Sequence, residues 1–317
     1  FRPSYQLSEE RAEIIGMATA DPVAPSAAEF RVPVTYTDMF FGEWNQEKTR
    51  HFMEHTHIWV SIVVTIAYLL MVRYGPGLMA NRKAFDLRTS LALWNFGLSA
   101  YSGLSLAILW KHFTKIYYSS GILGTVCNND DLYTNPESGW WGWLYCMSKG
   151  PELIDTVFLI LRKRPVIFLH WYHHSVTFML GQAFYTQFVP FVRPGVIINL
   201  GVHTIMYFYY GVRAWGVKTE RWVSKMITLT QIVQFISSSI FGAHFFHALF
   251  TGNLGDCAAK IDAVSVIGGL VVGSYLYLFL QYYRDAYYRN DSPTKKKVEG
   301  PADAKEAKEP EESKKDN

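Results

Sequence analysis

Long runs of apolar residues alternate with short polar segments along most of the chain. Each run approaches the roughly 20 residues that a helix needs to cross about 30 Å of hydrocarbon. The pattern therefore predicts an all-α integral membrane protein with seven transmembrane helices. The predicted spans are residues 57–74, 89–110, 140–161, 166–189, 194–212, 226–250 and 263–283.

The polar segments at the two ends give the domain organisation. Residues 1–56 are predicted to form a luminal or interfacial N-terminal segment, and residues 57–285 the seven-helix membrane domain. Residues 286–317 are rich in Lys, Glu, Pro and Ala, which is typical of a disordered tail. Lys314 and Lys315 resemble the dilysine signal that returns membrane proteins to the endoplasmic reticulum.

Lys and Arg are concentrated in alternate loops: those after the first, third and fifth spans, and the C-terminal tail. Since cytoplasmic loops carry the excess of these residues, we expect a luminal N-terminus and a cytosolic C-terminus. Charged residues make up only 18% of the chain. The basic ones are dispersed between apolar blocks, which argues against nucleic-acid binding.

One stretch, residues 149–174, is apolar enough to enter the membrane yet carries several ionisable side chains. Such groups cost several kcal/mol each inside a span unless they are paired or hydrated, so they indicate a functional site. The three histidines stand at i, i+3 and i+4 and share one helix face. The ionisable residues on which this functional-site hypothesis rests are Lys149, Glu152, Asp155, His170, His173 and His174.

Polar residues of four predicted helices lie at similar depths. At about 1.5 Å per residue, Asp155 is about 10 Å and His203 about 15 Å below the basic face. Gln231 and Gln234 are at about 9–14 Å by the same measure, and His173 is at a depth similar to that of Asp155 or somewhat shallower. Tyr207 and Tyr210 lie between His203 and that face. Unrelated core residues would not share a depth, so we predict a polar chamber that opens to the cytosol.

Histidine-rich motifs also suggest a membrane di-iron desaturase or hydroxylase. The candidate motifs are His51 with His55, the cluster at 170–174, and His244 with His247. On the predicted topology the first and last are luminal and the cluster is near the cytosol, so they do not converge. We therefore predict no bound metal, although a mononuclear site stays open. Without a metal, the cluster suits acid–base or nucleophilic catalysis.

Two of the three cysteines, Cys127 and Cys257, fall in loops predicted to be luminal. Because that compartment is oxidising, we predict a disulfide between them, with two free thiols as the alternative. Cys146 falls within the third predicted span and is interpreted as a packed core residue.

Four motifs occur in order along the chain: KxxExxDT at 149–156, HxxHH at 170–174, HxxMYxYY at 203–210 and QxxQ at 231–234. They resemble the signature boxes of the ELO family of very-long-chain fatty-acid elongases, and the resemblance extends over residues 57–285. The second box looks most like the branch that acts on saturated and monounsaturated acyl chains. The resemblance implies seven helices, six of them around a narrow tunnel for acyl-CoA.

The implied activity is that of a 3-ketoacyl-CoA synthase of the endoplasmic reticulum. It would condense an acyl-CoA with malonyl-CoA and release CO2 and CoA, with no bound cofactor. Implied partners are membrane lipid, a homodimer mate, and the ketoacyl reductase, dehydratase and enoyl reductase of the elongation cycle. A non-catalytic seven-helix lipid transporter remains an alternative.

The expected catalytic residues are His173, which would attack the acyl thioester, together with His170, His174, His203 and Asp155. His170, His174 and Asp155 would position the acyl group and balance charge, with the Asp155 carboxylate orienting a histidine. His203 would steady malonyl or the developing oxyanion. The remaining expectation concerns binding of the substrates. The residues expected to bind them are Lys149, Glu152, Tyr207, Tyr210, Gln231, Gln234, Arg213 and Arg221, with Lys218 and Lys225 also near the mouth.

Overall fold

The computed structural model describes residues 33–127, 132–187, 192–252 and 263–289. Within these ranges the regular structure is helical and contains no strand. A π-helical turn, Phe52–His57, joins the second helix directly to the third. The helices are α1 (Tyr36–Phe41), α2 (Gln46–His51), α3 (Ile58–Leu78), α4 (Arg88–Cys127), α5 (Pro136–Glu152), α6 (Ile154–Leu161), α7 (Phe168–Thr186), α8 (Val192–Ala214), α9 (Arg221–Phe250) and α10 (Ala263–Tyr287).

Five helical segments are long and apolar enough to cross a membrane, which indicates a multi-pass membrane protein. They correspond to the first, second, fifth, sixth and seventh predicted spans. They are Gln46–Leu78, Arg88–Cys127, Val192–Ala214, Arg221–Ala248 and Ala263–Tyr287.

The predicted spans 140–161 and 166–189 do not meet this criterion, so the described residues do not confirm a count of seven. The first of them is divided into α5 and α6, which meet at Leu153. Pro151 lies at this junction and lacks a backbone N–H, which favours a break in the helix. The ionisable side chains of these segments lower their mean hydropathy.

Helix α4 extends well beyond the predicted span, to Cys127, and is interrupted at Gly121. Its 40 residues would form a helix about 60 Å long if straight, twice the hydrocarbon thickness. Gly121 has a φ of 65°, a conformation that glycine adopts without the steric cost paid by other residues. The interruption therefore separates the membrane-length part of α4 from its final turns.

The N-terminal segment is helical earlier than the sequence suggests, because the first long helix begins at Gln46 rather than near residue 57. Before it, Thr35 and Asp38 form a capping box on α1. The hydrogen bonds from the Thr35 side chain and backbone hold the pKa of Asp38 below its usual value. Phe40 packs edge-on against Trp143 of α5, with ring centroids 5.0 Å apart.

Helices α4 and α8 pack closely against each other. The Ser99 hydroxyl donates to the Thr204 carbonyl at 2.8 Å. Gly211 lies under the Phe96 ring, where an added Cβ would come within 2.7 Å of it. Small residues of this kind allow close approach of helices in membranes. With α9 against α8 and α10, and α7 against α3, α5 and α10, these contacts surround the site.

The described residues include only some of those to which the disulfide and tail predictions refer. Cys127 is disulfide-bonded, and Cys146 is a free thiol. Cys257 lies outside the described residues, so the pairing of Cys127 with Cys257 stays a prediction. Residues 290–317, with Lys314 and Lys315, also lie outside the described ranges.

Candidate functional site

A cavity of about 540 Å³ lies between the helices, with side chains from α4, α6, α7, α8, α9 and α10 on its walls. The structure brings most of the predicted site residues together in it, although they are separated by as many as 79 positions in the sequence. The predicted residues that line it are Asp155, His170, His173, His174, His203, Tyr207, Tyr210, Arg213, Gln231 and Gln234.

Basic side chains crowd one part of the cavity wall. Arg88, Arg162, Arg164, Arg213 and Lys218 all line it, and the first three were not predicted as ligands. They come from the start of α4, the α6–α7 turn and the end of α8, so they share one end of the helices. Guanidinium and ammonium groups in such numbers suit a polyanionic group such as a phosphate chain.

Two of the basic residues expected at the mouth are engaged elsewhere. The Arg221 guanidinium donates to the Ala286 carbonyl at 3.2 Å and does not line the cavity. The Lys225 ammonium donates to the Tyr288 hydroxyl at 3.2 Å. Their contacts join the start of α9 to the end of α10.

His170 is held by a hydrogen-bonded relay from two other helices. Its Nε2 lies 2.9 Å from the Thr156 hydroxyl in α6. That hydroxyl is in turn 2.9 Å from the Tyr68 hydroxyl in α3. Both Tyr68 and Thr156 are buried, so water does not compete for these bonds. The relay fixes the His170 ring, which packs against His174 with centroids 4.4 Å apart.

His173 is oriented differently, since its ring nitrogens form no hydrogen bond within the described residues. The ring lies 4.9 Å from that of Tyr275 and 5.5 Å from that of His174, centroid to centroid. It is half-buried and faces the cavity. An imidazole held by aromatic packing, with its nitrogens unengaged, is placed to react with a ligand in the cavity.

Asp155 makes its contacts with groups other than histidines. One carboxylate oxygen accepts from the Trp94 indole N–H at 2.7 Å, and the other from the Tyr207 hydroxyl at 2.9 Å. The expectation that Asp155 directly orients a catalytic histidine does not match this geometry. Instead the residue ties α6 to α4 and α8 at the wall of the cavity.

A buried ion pair lies just behind the cavity wall. The Lys149 ammonium donates to Glu152 Oε1 at 2.8 Å and to Asn199 Oδ1 at 3.1 Å. Glu152 Oε1 also lies 3.5 Å from His203 Nδ1. His203 and Asn199 line the cavity, whereas Lys149 and Glu152 do not. The substrate-binding role of Lys149 and Glu152 stays a prediction, and the contacts described here are with His203 and Asn199.

Sequence reasoning missed several residues that hold the site. Asn199 precedes His203 by one helical turn and also accepts from the Tyr145 hydroxyl at 3.1 Å. A polar residue at that spacing was a usable signal. Trp94 and Tyr68 gave none, because aromatic residues are ordinary components of membrane helices. Gln231, which was predicted, donates to the Met206 sulfur at 3.0 Å.

The described residues contain no cluster of three or more His, Cys, Asp or Glu side chains arranged to hold a metal ion. His51 and His55 stack on each other at the start of the first span, 4.2 Å apart, and do not line the cavity. The geometry that a di-iron site would require is therefore not found in this part of the chain.

Comparisons with known proteins agree with the four motifs. The sequence model of the ELO family, described as the GNS1/SUR4 family, matches residues 53–296. The chain is 41% identical to "Long chain fatty acid elongase 2" of Caenorhabditis elegans over 270 residues, covering 85% of this chain and 98% of that protein. It is 34% identical to "Very long chain fatty acid elongase 3" of Mus musculus over 244 residues, covering 76% and 86%.

The match spans most of the chain, includes all four motifs and extends over nearly the full length of these relatives. The same motifs supply the side chains that line or support the cavity. This chain therefore belongs to the ELO, or GNS1/SUR4, family.

Proposed function

We propose that this protein is a membrane-embedded fatty-acid elongase that condenses an acyl-CoA with malonyl-CoA to give a 3-ketoacyl-CoA, CO2 and CoA. The observation that carries the proposal is His173, an imidazole facing a large cavity with its nitrogens unengaged. Family membership and relatives named as fatty-acid elongases support the reaction class.

The first half-reaction transfers the acyl group to His173. A ring nitrogen attacks the thioester carbonyl, the carbon–sulfur bond breaks, and CoA leaves with the proton released by the imidazole. An acyl-imidazole is reactive enough to be attacked again. The fixed ring of His170 and the ring of His174 hold His173 in place, and the basic wall receives the CoA phosphates.

The second half-reaction uses malonyl-CoA. Loss of CO2 leaves an enolate, which forms the new carbon–carbon bond by attacking the acyl carbonyl. The bond from that carbonyl to the His173 nitrogen breaks, and the nitrogen takes up a proton from solvent. His203 lines the cavity next to the Lys149–Glu152 pair and is placed to stabilise the developing negative charge. The Tyr207 hydroxyl already donates to Asp155, so its role is to position rather than to donate to the substrate.

The proposed topology places all four motifs in one half of the membrane. The segment from α5 to α6 and helix α7 would complete seven spans, with six around a tunnel that leads from the cavity. Their polar side chains face the cavity and its supporting network rather than lipid, which lets them cross the membrane despite low hydropathy. The protein would lie in the endoplasmic reticulum membrane. The end of the helices that carries the basic cavity residues would face the cytosol.

The proposed partners follow from the chemistry. A 3-ketoacyl-CoA must next be reduced, dehydrated and reduced again to complete an elongation cycle. We therefore include a ketoacyl reductase, a dehydratase and an enoyl reductase as functional partners. Separately from this chemistry, we propose a second copy of the chain as a homodimer mate.

The test is condensation by purified protein with malonyl-CoA, acyl-CoAs of graded length and EDTA. We expect mass spectrometry to show a 3-ketoacyl-CoA two carbons longer than the substrate. Omitting malonyl-CoA should leave protein whose intact mass is greater by one acyl group, and His173→Ala should abolish that increase. His55→Ala is the matched control and should behave as wild type. Acyl-CoA binding with no product would favour the transporter alternative instead.

A further inference from the structure

A second hollow lies on the outer surface, where α8 ends. This groove is lined by Leu93, Phe96, Val212, Trp215 and Val217 and has a volume of about 350 Å³. All five side chains are apolar. Leu93, Trp215 and Val217 are exposed by 61%, 63% and 50% of their surface. Apart from the Trp215 indole N–H, these five side chains have no hydrogen-bonding group, so the lining suits a hydrocarbon chain.

The groove and the cavity share a wall. Val217 lines both, and its neighbours Gly216 and Lys218 line the cavity. Gly216 has a φ of 104°, so the chain reverses sharply there after α8 ends. The turn formed by residues 215–218 is therefore the partition between the surface groove and the interior cavity.

Basic residues flank the groove on the cavity side. Arg213 and Lys218 follow Val212 and Val217 directly in the chain, and both line the cavity. Arg88, five residues before Leu93 at the start of α4, also lines it. An apolar surface groove beside a basic cavity mouth is complementary to an amphiphile with a hydrocarbon tail and a polyphosphate head.

We propose that the groove binds the acyl chain of membrane-dissolved acyl-CoA while the CoA phosphates contact the basic mouth. From this position the acyl chain moves past Val217 into the cavity. The inference rests on the proposed function for the identity of the amphiphile. A phospholipid acyl chain is the rival occupant, and its zwitterionic head lacks the polyphosphate that the mouth fits.

The first experiment is photolabelling of the full chain in phosphatidylcholine vesicles. An acyl-CoA with a diazirine in the middle of its chain is irradiated without malonyl-CoA, and labelled peptides are mapped by mass spectrometry. We expect labelling at residues 212–217 that excess unlabelled long-chain acyl-CoA removes. Ile205 is 53% exposed on the same helix and serves as the lipid-facing control. Labelling of the groove that acyl-CoA does not compete away, or that matches Ile205, would overturn the proposal.

The second experiment fills the groove with Val212→Trp and compares it with Ile205→Trp. We expect KM for long-chain acyl-CoA in vesicles to rise about tenfold at unchanged kcat, because only a binding contact is lost. A short, water-soluble acyl-CoA should show no change. Equal effects on both substrates, or equal effects of both variants, would contradict the proposal. If wild-type protein makes no 3-ketoacyl-CoA, the proposed function fails, while the competition experiment still decides whether the groove binds acyl-CoA.

Discussion

Two helical segments of this protein each place at least two histidines on one helix face, but in very different environments. His170, His173 and His174 begin α7 and line the cavity. His51, His55 and His57 lie at the start of the first span, where the first two stack on each other outside the cavity. His57, the last residue of the π-helical turn, is buried, and its Nδ1 lies 2.5 Å from the Tyr36 hydroxyl. Spacing on one helix face therefore does not distinguish a cluster that lines the cavity from one that does not. What distinguishes them is what the other helices place around the rings.

The largest expected effect comes from replacing one histidine of each cluster with alanine and comparing the two variants. His173→Ala should lower the condensation rate by at least about a thousandfold, because it removes the imidazole proposed to carry the acyl group. His55→Ala should stay within about twofold, as expected for a substitution away from packed or reactive groups. Radiolabelled malonyl-CoA incorporation measures both. Equal losses in the two variants would show that the comparison is wrong.

The next largest effect should come from the buried ion pair behind the cavity. Lys149→Met leaves Glu152 without its charged partner and should destabilise the protein by about 3 kcal/mol. The double variant Lys149→Met with Glu152→Leu should recover most of the lost stability without recovering activity, since His203 loses its carboxylate neighbour. Thermal unfolding in detergent and the condensation assay report the two properties. Recovery of activity in the double variant would exclude a positioning role for this pair.

A smaller loss is expected at Trp94, whose indole donates to Asp155. Trp94→Phe keeps the ring but removes the donor, so kcat should fall about tenfold, in line with the loss of one hydrogen bond to a carboxylate. KM for both substrates should change little, because Trp94 does not line the cavity. Trp110→Phe, on the same helix and half exposed, is the matched control. A change confined to KM would instead assign Trp94 to substrate binding.

The smallest effects are expected at two tyrosines. Tyr68 belongs to the relay that ends at His170, and Tyr36 is hydrogen-bonded to His57. Tyr68→Phe removes the outer hydroxyl of the relay to His170 and should lower kcat a few-fold, or about 1 kcal/mol. Tyr36→Phe removes the partner of His57 and should lower thermal stability by a similar amount while leaving kcat unchanged. Reversed effects would mean that the N-terminal cluster, and not the relay, supports the reaction.

Several features of the site could be predicted from the sequence because ionisable residues are costly in apolar segments. The depth estimate placed Asp155, His203, Gln231 and Gln234 in one layer, and the structure places all four on one cavity. The same estimate could not tell a residue in the wall from one behind it. Lys149 and Glu152 do not line the cavity, and they contact Asn199 and His203, which do.

The helix predictions succeeded where hydropathy is uniform and were incomplete where it is not. Apolar residues alone predict the five membrane-length helices, since lipid imposes the same requirement on each. Between residues 136 and 186, polar side chains and the junction at Leu153 obscure that pattern. The pairing of Cys127 with Cys257 stays a prediction, because only Cys127 lies in the described part of the chain.

By itself, the sequence determined that the protein is helical, that it crosses a membrane several times and that it carries the ELO motifs. These properties depend on composition and on local spacing, which the chain contains directly. The tertiary structure decided which histidine is hydrogen-bonded to Thr156, which carboxylate meets Trp94 rather than a histidine, and which groove adjoins the cavity. Those relations join residues of different helices, and their distances exist only after α4, α7 and α8 have packed together.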